Sequence, residues 1–395
     1  MINENMNSII SKGWEDEIAR RVERIAASLA EIGADAMLIS SNTNLYYTAS
    51  RVIAGYTYVT AKGDVKYFVR RPVGLDGDNV VYIRKPEQIV EFLDSKPATL
   101  ALELDMPYND IQRLQAAFGG VAIVDGAAIM RKIRAVKSPF EVALMRRSGI
   151  SHVESYRQIP HIYSDGMSDV ELQIELEHRL RQNGCLGLFR IYGQSMELFM
   201  GNIICGNNAD CPSPYDFTMG GAGVDKSLPI GANGSIIRPG MTVMVDACGN
   251  FTGYMTDMTR SYKVGKVSDL AEKAHRCSVE ICKKIQSMAR PDVSARSLYE
   301  TAVEMAEQAG LSDYFMGHAQ KAGFVGHGVG IEVNELPVLS ARSKDVLEQG
   351  NVIAVEPKFV IPDVGAVGIE NTYVITADGA ECLTVMPEEL IQLSE

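Results

Sequence analysis

Apolar residues recur at helical spacing over residues 16–32, at Ile18, Val22, Ile25, Leu29 and Ile32, and Gly33 follows where such a helix would end. Short β-like runs come next, at 36–39, 56–59, 65–69 and 80–83, with 61–64 as a hairpin turn. Helical spacing returns near 86–93, then a strand at 99–102, a helix near 107–117 and a strand at 121–124. This alternation predicts a compact α/β N-terminal domain over residues 1–135, and it carries no phosphate loop and no catalytic spacing. The cationic run Arg131-Lys132-Ile133-Arg134-Ala135-Val136-Lys137 reads as a solvated linker. Beyond it, Ser138-Pro139-Phe140-Glu141 is a capping box with proline in the first turn, and Ser168-Asp169-Val170-Glu171 opens a helix in the same way. Further helices read over 268–288 and 294–309. They alternate with β-hairpins, so residues 136–395 are expected to form an α+β domain with an antiparallel sheet.

Two of those hairpins carry acids. Residues 243–257 are strand-like on both sides of a turn marked by Gly249, Asn250 and Gly253. If the chain folds back about Phe251 and Thr252, residues whose numbers add to 503 face each other, and Asp246 lies opposite Asp257. Directly opposed strand neighbours have Cβ atoms about 5 Å apart. Two carboxylates that close repel unless a cation sits between them, so the pattern predicts a metal. The second hairpin, centred on Asp363, places Glu356 opposite Glu370. Between the hairpins, His327 stands among Gly326, Gly328 and Gly330, residues small enough to let other groups come close to the ring.

Composition narrows the partners. Among 395 residues, 50 acids against 38 bases give a net charge of −12 with no basic block, which disfavours nucleic acid and anionic membrane. No apolar run reaches the ~18 residues of a membrane helix, and residues 1–6 (MINENM) lack the basic and apolar regions of a leader, so a soluble cytoplasmic protein is expected. Seven scattered cysteines form no zinc spacing and no disulfide framework, and are expected to be reduced and mostly buried.

The order of the five candidate ligands is the most specific feature. Asp246, Asp257 at 11 residues on, His327, Glu356 at 29 beyond it and Glu370 at 14 beyond that resemble the pita-bread metallopeptidases: methionine aminopeptidase, prolidase and aminopeptidase P, with the metal-free creatinase as a relative. The motifs at 253–260, 326–330 and 368–372 are close to the prolidase type. Residues 16–130, including Asn44-Leu45-Tyr46-Tyr47-Thr48, are similar to the creatinase-type N-terminal domain. The resemblance implies a curved antiparallel sheet in the C-terminal domain, a homodimer, and two divalent ions of manganese, cobalt, iron or zinc. It implies that Asp246 chelates one ion, that Asp257 and Glu370 bridge both, and that His327 and Glu356 complete the second. Glu356 and His327 are the catalytic residues on this view, with Glu356 relaying a proton to the leaving nitrogen as a water held by the ions attacks the peptide carbonyl. The implied activity is removal of the N-terminal residue of short peptides, of the Xaa-Pro type.

Three positions depart from the prolidase pattern. Ile230 and Asn334 stand where relatives carry histidines that contact substrate, and Gly368 stands where an arginine often precedes the last glutamate by two. An asparagine can still donate a hydrogen bond but cannot shuttle a proton. The turn-rich segment 205–223, with Tyr215, is expected to shape the substrate pocket, and His318 is a candidate replacement donor. Arg260 and Glu335 are expected to support the site from behind. Two other readings stay open: an enzyme of the same fold acting on a small non-peptide molecule, and a non-catalytic binding module.

Overall fold

The structure is a computed structural model and describes residues 13–193, 196, 199–215, 217 and 219–394. Residues 1–6, read above for a leader, lie outside these, as do Asp216 and Thr218 of the turn-rich segment. The chain divides into two compact units, Met1–Arg134 and Ala135–Glu395.

In the first unit the periodic helix forms as α1 (Trp14–Glu31), burying Val22, Ile25, Ala26 and Leu29. It is followed by β1 (Ala36–Ile39), α2 (Asn42–Ala49), β2 (Ala54–Thr60), β3 (Val65–Arg71), β4 (Val80–Tyr82), β5 (Thr99–Leu102), α3 (Tyr108–Ala117) and β6 (Ala122–Asp125). The strands make one six-stranded sheet in the order β4-β3-β2-β1-β5-β6. It is mixed: β1, β2 and β3 pair antiparallel, while β4, β5 and β6 add in parallel. The cationic run is not a solvated linker. Most of it is the helix α4 (Ala127–Ala135), Arg134 is 3% exposed and hydrogen-bonds Asn44 Oδ1, and Lys137 is 4% exposed with its ammonium 2.9 Å from Glu335 Oε2. Buried acceptors took these cations out of water, which no local charge pattern announces.

In the second unit both capping boxes form. Ser138 caps α5 (Pro139–Tyr156) and Ser168 caps α6 (Asp169–Gln182). These helices cover one face of a four-stranded sheet, β17-β9-β8-β7, made of β7 (Gly201–Cys205), β8 (Thr242–Asn250), β9 (Met255–Val264) and β17 (Ile391–Ser394). Val153, Tyr156, Leu172 and Leu176 pack there against Ile203, Val243, Val245 and Met258. The strand period of two therefore turns Met244, Asp246 and Cys248 to the opposite face. Two further helices, α7 (Asp269–Met288) and α8 (Ala295–Gln308), bury Ile281, Ile285, Leu298 and Ala302 against Ile353, Phe359, Val367 and Ile369. Each of these side chains larger than alanine contributes roughly 1.5–3 kcal/mol when removed from water. Their cover rests on a five-stranded sheet, β11-β10-β12-β15-β16, and a two-stranded one, β13-β14. The members are β10 (Phe324–Gly328), β11 (Glu335–Ser340), β12 (Val352–Val355), β13 (Lys358–Ile361), β14 (Gly365–Gly368), β15 (Asn371–Ile375) and β16 (Ala380–Cys382). Among the described residues no helix is long and apolar enough to cross a membrane.

Register decides where the acids go. In the first hairpin the pairs are Asn250↔Met255, Cys248↔Asp257 and Asp246↔Thr259, so partners add to 505 rather than 503. Asp246 is thus a diagonal neighbour of Asp257, on the same face because the shift is one whole pleat. In the second hairpin the expected register holds: Val355 pairs with Asn371 and Lys358 with Gly368, on either side of Glu356 and Glu370. An isolated bridge between Thr259 and Glu370 draws the two hairpins together.

Candidate metal centre

Asp246 from β8, Asp257 from β9, His327 from β10, and Glu356 and Glu370 from the junctions beyond β12 and before β15 converge in one place. Donor atoms of Asp257, His327 and Glu370 lie within 4.8 Å of one another, and so do those of Asp246, Glu356 and Glu370. His327 Nε2 is 3.3 Å from Glu356 Oε1 and 3.9 Å from Asp257 Oδ2. The glycines around His327 serve the sheet more than the ring. A Cβ at Gly326 would lie 2.3 Å from Ala354 O, and one at Gly328 would lie 2.1 Å from Leu336 O.

Neighbouring side chains hold the carboxylates. Thr259 Oγ1 donates to Glu370 Oε2 at 2.8 Å, and Thr372 Oγ1 both accepts from the Asp257 amide and donates to its carbonyl, each at 2.8 Å. Arg260 is fully buried and donates from Nη1 to Glu370 O at 2.9 Å, a contact with the backbone of a candidate ligand. Glu335 accepts from the Ile331 and Glu332 amides and from Lys137, tethering the loop after His327 rather than touching the four acids and the histidine.

The centre also contains a cation that sequence reasoning missed. Lys358 is fully buried, with Nζ 2.7 Å from Asp246 Oδ2, 2.8 Å from Glu356 Oε2 and 3.2 Å from Glu370 Oε2. It stands two residues after Glu356, and the strand period of two is the signal that would have placed it on the same face. Asn202, directly opposite Asp246 on β7, was missed for want of any local signal.

The electrostatics follow from burial and crowding. Burial raises Asp257, and the Asp246 charge raises it further, to about 7. Burial and the Asp257 charge push Glu370 well above the usual carboxylate range. Burial alone would raise Glu356, but Lys358 and His327 lower it to about 2. For His327 burial works downward, and the Glu356 hydrogen bond with the Glu356 and Asp257 charges overcomes it, to about 9. Lys358 is held well above its ordinary value by Asp246, Glu356 and Glu370, against the effect of burial. A metal binds these groups only in their deprotonated forms, so binding here competes with protons.

The donors fit a divalent cation beside Asp257, His327 and Glu370: three hard or borderline ligands converge, and Glu370 Oε1 is buried with no hydrogen-bond partner among the described residues. The other trio already surrounds the lysine ammonium.

A cleft opens onto this centre, with Asp246, Asp257, His327 and Glu356 at its polar end and Ile191, Met196, Phe217, Met219, Phe324 and Val333 forming an apolar wall. Asn334 also lines it, but its amide is tied to Tyr192, accepting from the Tyr192 amide and donating to its carbonyl, both at 2.7 Å. Of the turn-rich segment, Phe217 and Met219 reach the cleft, whereas Tyr215 does not line it and stacks near Phe217 with ring centroids 5.9 Å apart. Ile230 is 1% exposed and does not line the cleft. His318 is exposed at the surface and its Nδ1 lies 2.8 Å from Asp210 Oδ2, so it does not reach the centre.

The description "Metallopeptidase family M24" matches residues 143–377, more than half of the chain. The chain belongs to this family. The creatinase/prolidase N-terminal domain matches residues 21–136. An uncharacterised peptidase, YqhT of Bacillus subtilis (strain 168), is 28% identical over 386 residues, covering 94% of this chain and 100% of its own length. An Xaa-Pro dipeptidase of Pyrococcus horikoshii is 26% identical over 383 residues, covering 95% and 100%. Among solved structures, the prolidase of Pyrococcus horikoshii OT3 superimposes with a TM-score of 0.77 at 24% identity, covering 94% of this chain and all of its own. The Xaa-Pro dipeptidase of Bacillus anthracis gives 0.79 at 22%, covering 95% and 99%. The expected architecture stands: an α/β N-terminal domain followed by an α+β pita-bread domain. Membership makes the protein a metal-dependent hydrolase.

Proposed function

We propose that this metallopeptidase-family protein is an exopeptidase that removes the N-terminal residue of short peptides, with a preference of the Xaa-Pro type. The observation that carries the reading is the convergence of four carboxylates and His327 at the polar end of a cleft whose other wall is apolar. The names of the relatives support it. Asp257, His327, Glu356 and Glu370 are the ligands for a divalent ion in this reading, with Asp246 beside them. When bound, such an ion supplies Lewis acidity for a peptide carbonyl and for an attacking water. Glu356 reaches the cleft and holds a position from which it can pass a proton to a leaving amine. The apolar wall excludes water and fits an apolar side chain of the substrate. Manganese, cobalt, iron and zinc all suit the donor set. The same reading takes the protein as a homodimer, the resemblance being its support, and as cytoplasmic.

A second reading is favoured by Asn334. Its amide oxygen and one of its two N–H groups are engaged by Tyr192, so the position where resembling chains carry a histidine offers at most one amide N–H and no group that can shuttle a proton. An enzyme of the same fold cleaving a small non-peptide C–N bond meets that observation. A panel of Xaa-Pro and Xaa-Ala dipeptides and tripeptides, assayed on stripped protein with each metal restored, separates the two. Metal-dependent release of the first residue supports the peptidase; no turnover of any peptide by metal-loaded protein refutes it.

A further inference from the structure

We propose that Lys358 itself holds one of the two cation positions of this centre, so that the protein takes a single divalent ion, beside Asp257, His327 and Glu370, next to a fixed ammonium. The proposal deepens the metallohydrolase reading and relies on it for the ion that remains.

Space carries the argument. The ammonium sits among oxygens of Asp246, Glu356 and Glu370, the same three residues whose donor atoms form the second trio close enough together to hold a cation. Carboxylates approach such ions at roughly 2.0–2.2 Å. An ion and an ammonium cannot both sit among three oxygens that already lie 2.7–3.2 Å from Nζ. Nor has the lysine a place to go. Its side chain is fully buried, its carbonyl accepts from the Met316 amide at 2.8 Å, and its backbone is in register with Gly368. Moving it would break three charge-assisted bonds inside the protein and strand the charge. Net charge does not discriminate: with Lys358 present and His327 neutral, one divalent ion leaves the four carboxylates one charge short of neutrality, and two overshoot by one.

The facing strand gives an independent reason. Gly368 stands where resembling chains often carry arginine, and it is the cross-strand partner of Lys358. Its φ is +139°, and a Cβ there would meet Pro357 O at 2.7 Å and Lys358 Cα at 3.0 Å. No side chain can project from residue 368, and the cation of this hairpin comes from the opposite strand. On the other side, the unpartnered Glu370 Oε1 marks where the remaining ion fits. Lys358 then supplies a single positive charge where a second ion would supply two, and Asp246 becomes an oriented carboxylate on the cleft wall instead of a chelator.

The test is a metal count on the full-length protein. Stripped protein is titrated with Mn(II), the bound ion counted by elemental analysis and calorimetry, and the electron paramagnetic resonance spectrum recorded; Lys358→Gly is treated alike, and peptide hydrolysis is measured in parallel. One ion per chain with an uncoupled Mn(II) spectrum is expected for the natural protein, rising to two with exchange coupling in Lys358→Gly. Two ions per chain in the natural protein overturns the proposal whether or not the variant folds, and so does a folded Lys358→Gly that stays at one. No ion at all overturns both the proposal and the metallohydrolase reading. One ion without hydrolysis of any peptide leaves the proposal standing and removes the peptidase; two ions with hydrolysis does the reverse.

Discussion

Replacing Arg260 by lysine keeps the charge and tests whether the guanidinium fork is what holds Glu370 in place. Arg260 is fully buried and donates to six acceptors: Pro387 O from Nε at 2.8 Å, Thr259 O and Glu370 O from Nη1 at 2.8 and 2.9 Å, and Asn371 Oδ1, Met386 O and Thr384 O from Nη2 at 2.8, 3.2 and 3.4 Å. An ammonium offers three donors from one atom and cannot reproduce the fork. About three buried acceptors are then left unpaired, at ~1–3 kcal/mol each. Relaxation recovers part of that, and the expected loss is about 3–5 kcal/mol, the range for breaking a buried charged contact. Because one of the acceptors is the Glu370 carbonyl, metal affinity should also fall, by the ~10–100-fold typical of a lost supporting contact. Urea unfolding gives the first quantity and competition with a chelator the second. Stability within ~1 kcal/mol of the natural protein together with unchanged affinity would falsify the supporting role of Arg260.

His152 should make the protein acid-sensitive. Burial, then the Arg260 charge, lowers it to about 3, and its Nε2 has no partner among the described residues. The unfolded chain takes up this proton below about 6.5. Its contribution is therefore complete above that pH and declines by roughly 1.4 kcal/mol per unit as pH falls toward 3, about 2 kcal/mol by pH 5. Unfolding midpoints at fixed saturating metal should depend less on pH in His152→Gln; parallel profiles would show the slope comes from elsewhere. Asp257→Ala and Glu370→Ala should each abolish tight metal binding, since both acids face the same cation position; undiminished metal content by elemental analysis in either would show that residue is no ligand. Asn334→Ala removes both hydrogen bonds to Tyr192 and loosens the segment carrying Ile191 on the cleft wall. It should cost about 1–2 kcal/mol and raise KM more than it lowers kcat. An unchanged KM would show that the segment does not shape the cleft.

What could be read from the chain alone was whatever local chemistry repeats. Helical spacing located α1, the capping boxes located α5 and α6, and alternating apolar residues with turn signals located the two acid-bearing hairpins. The second hairpin could be registered by counting, because its turn is tight about Asp363 and partners add to one number throughout. The first could not, since Gly249 to Gly253 allow more than one way to turn, and the true pairing is one pleat further on. Asp246 and Asp257 remained on one face only because that error was a whole period. Other questions belong to tertiary structure. Arg134 and Lys137 of the cationic run became buried through partners at Asn44 and Glu335, far away in sequence. His318 paired with Asp210 outside the cleft, and Asn334 was drawn to Tyr192. Lys358 is the sharpest case, an ordinary lysine in the sequence whose meaning comes from three carboxylates brought to it by other strands. Periodicity assigns a residue to a face, but which charges share that face, and whether water reaches them, is set by strands that meet only when the chain has folded.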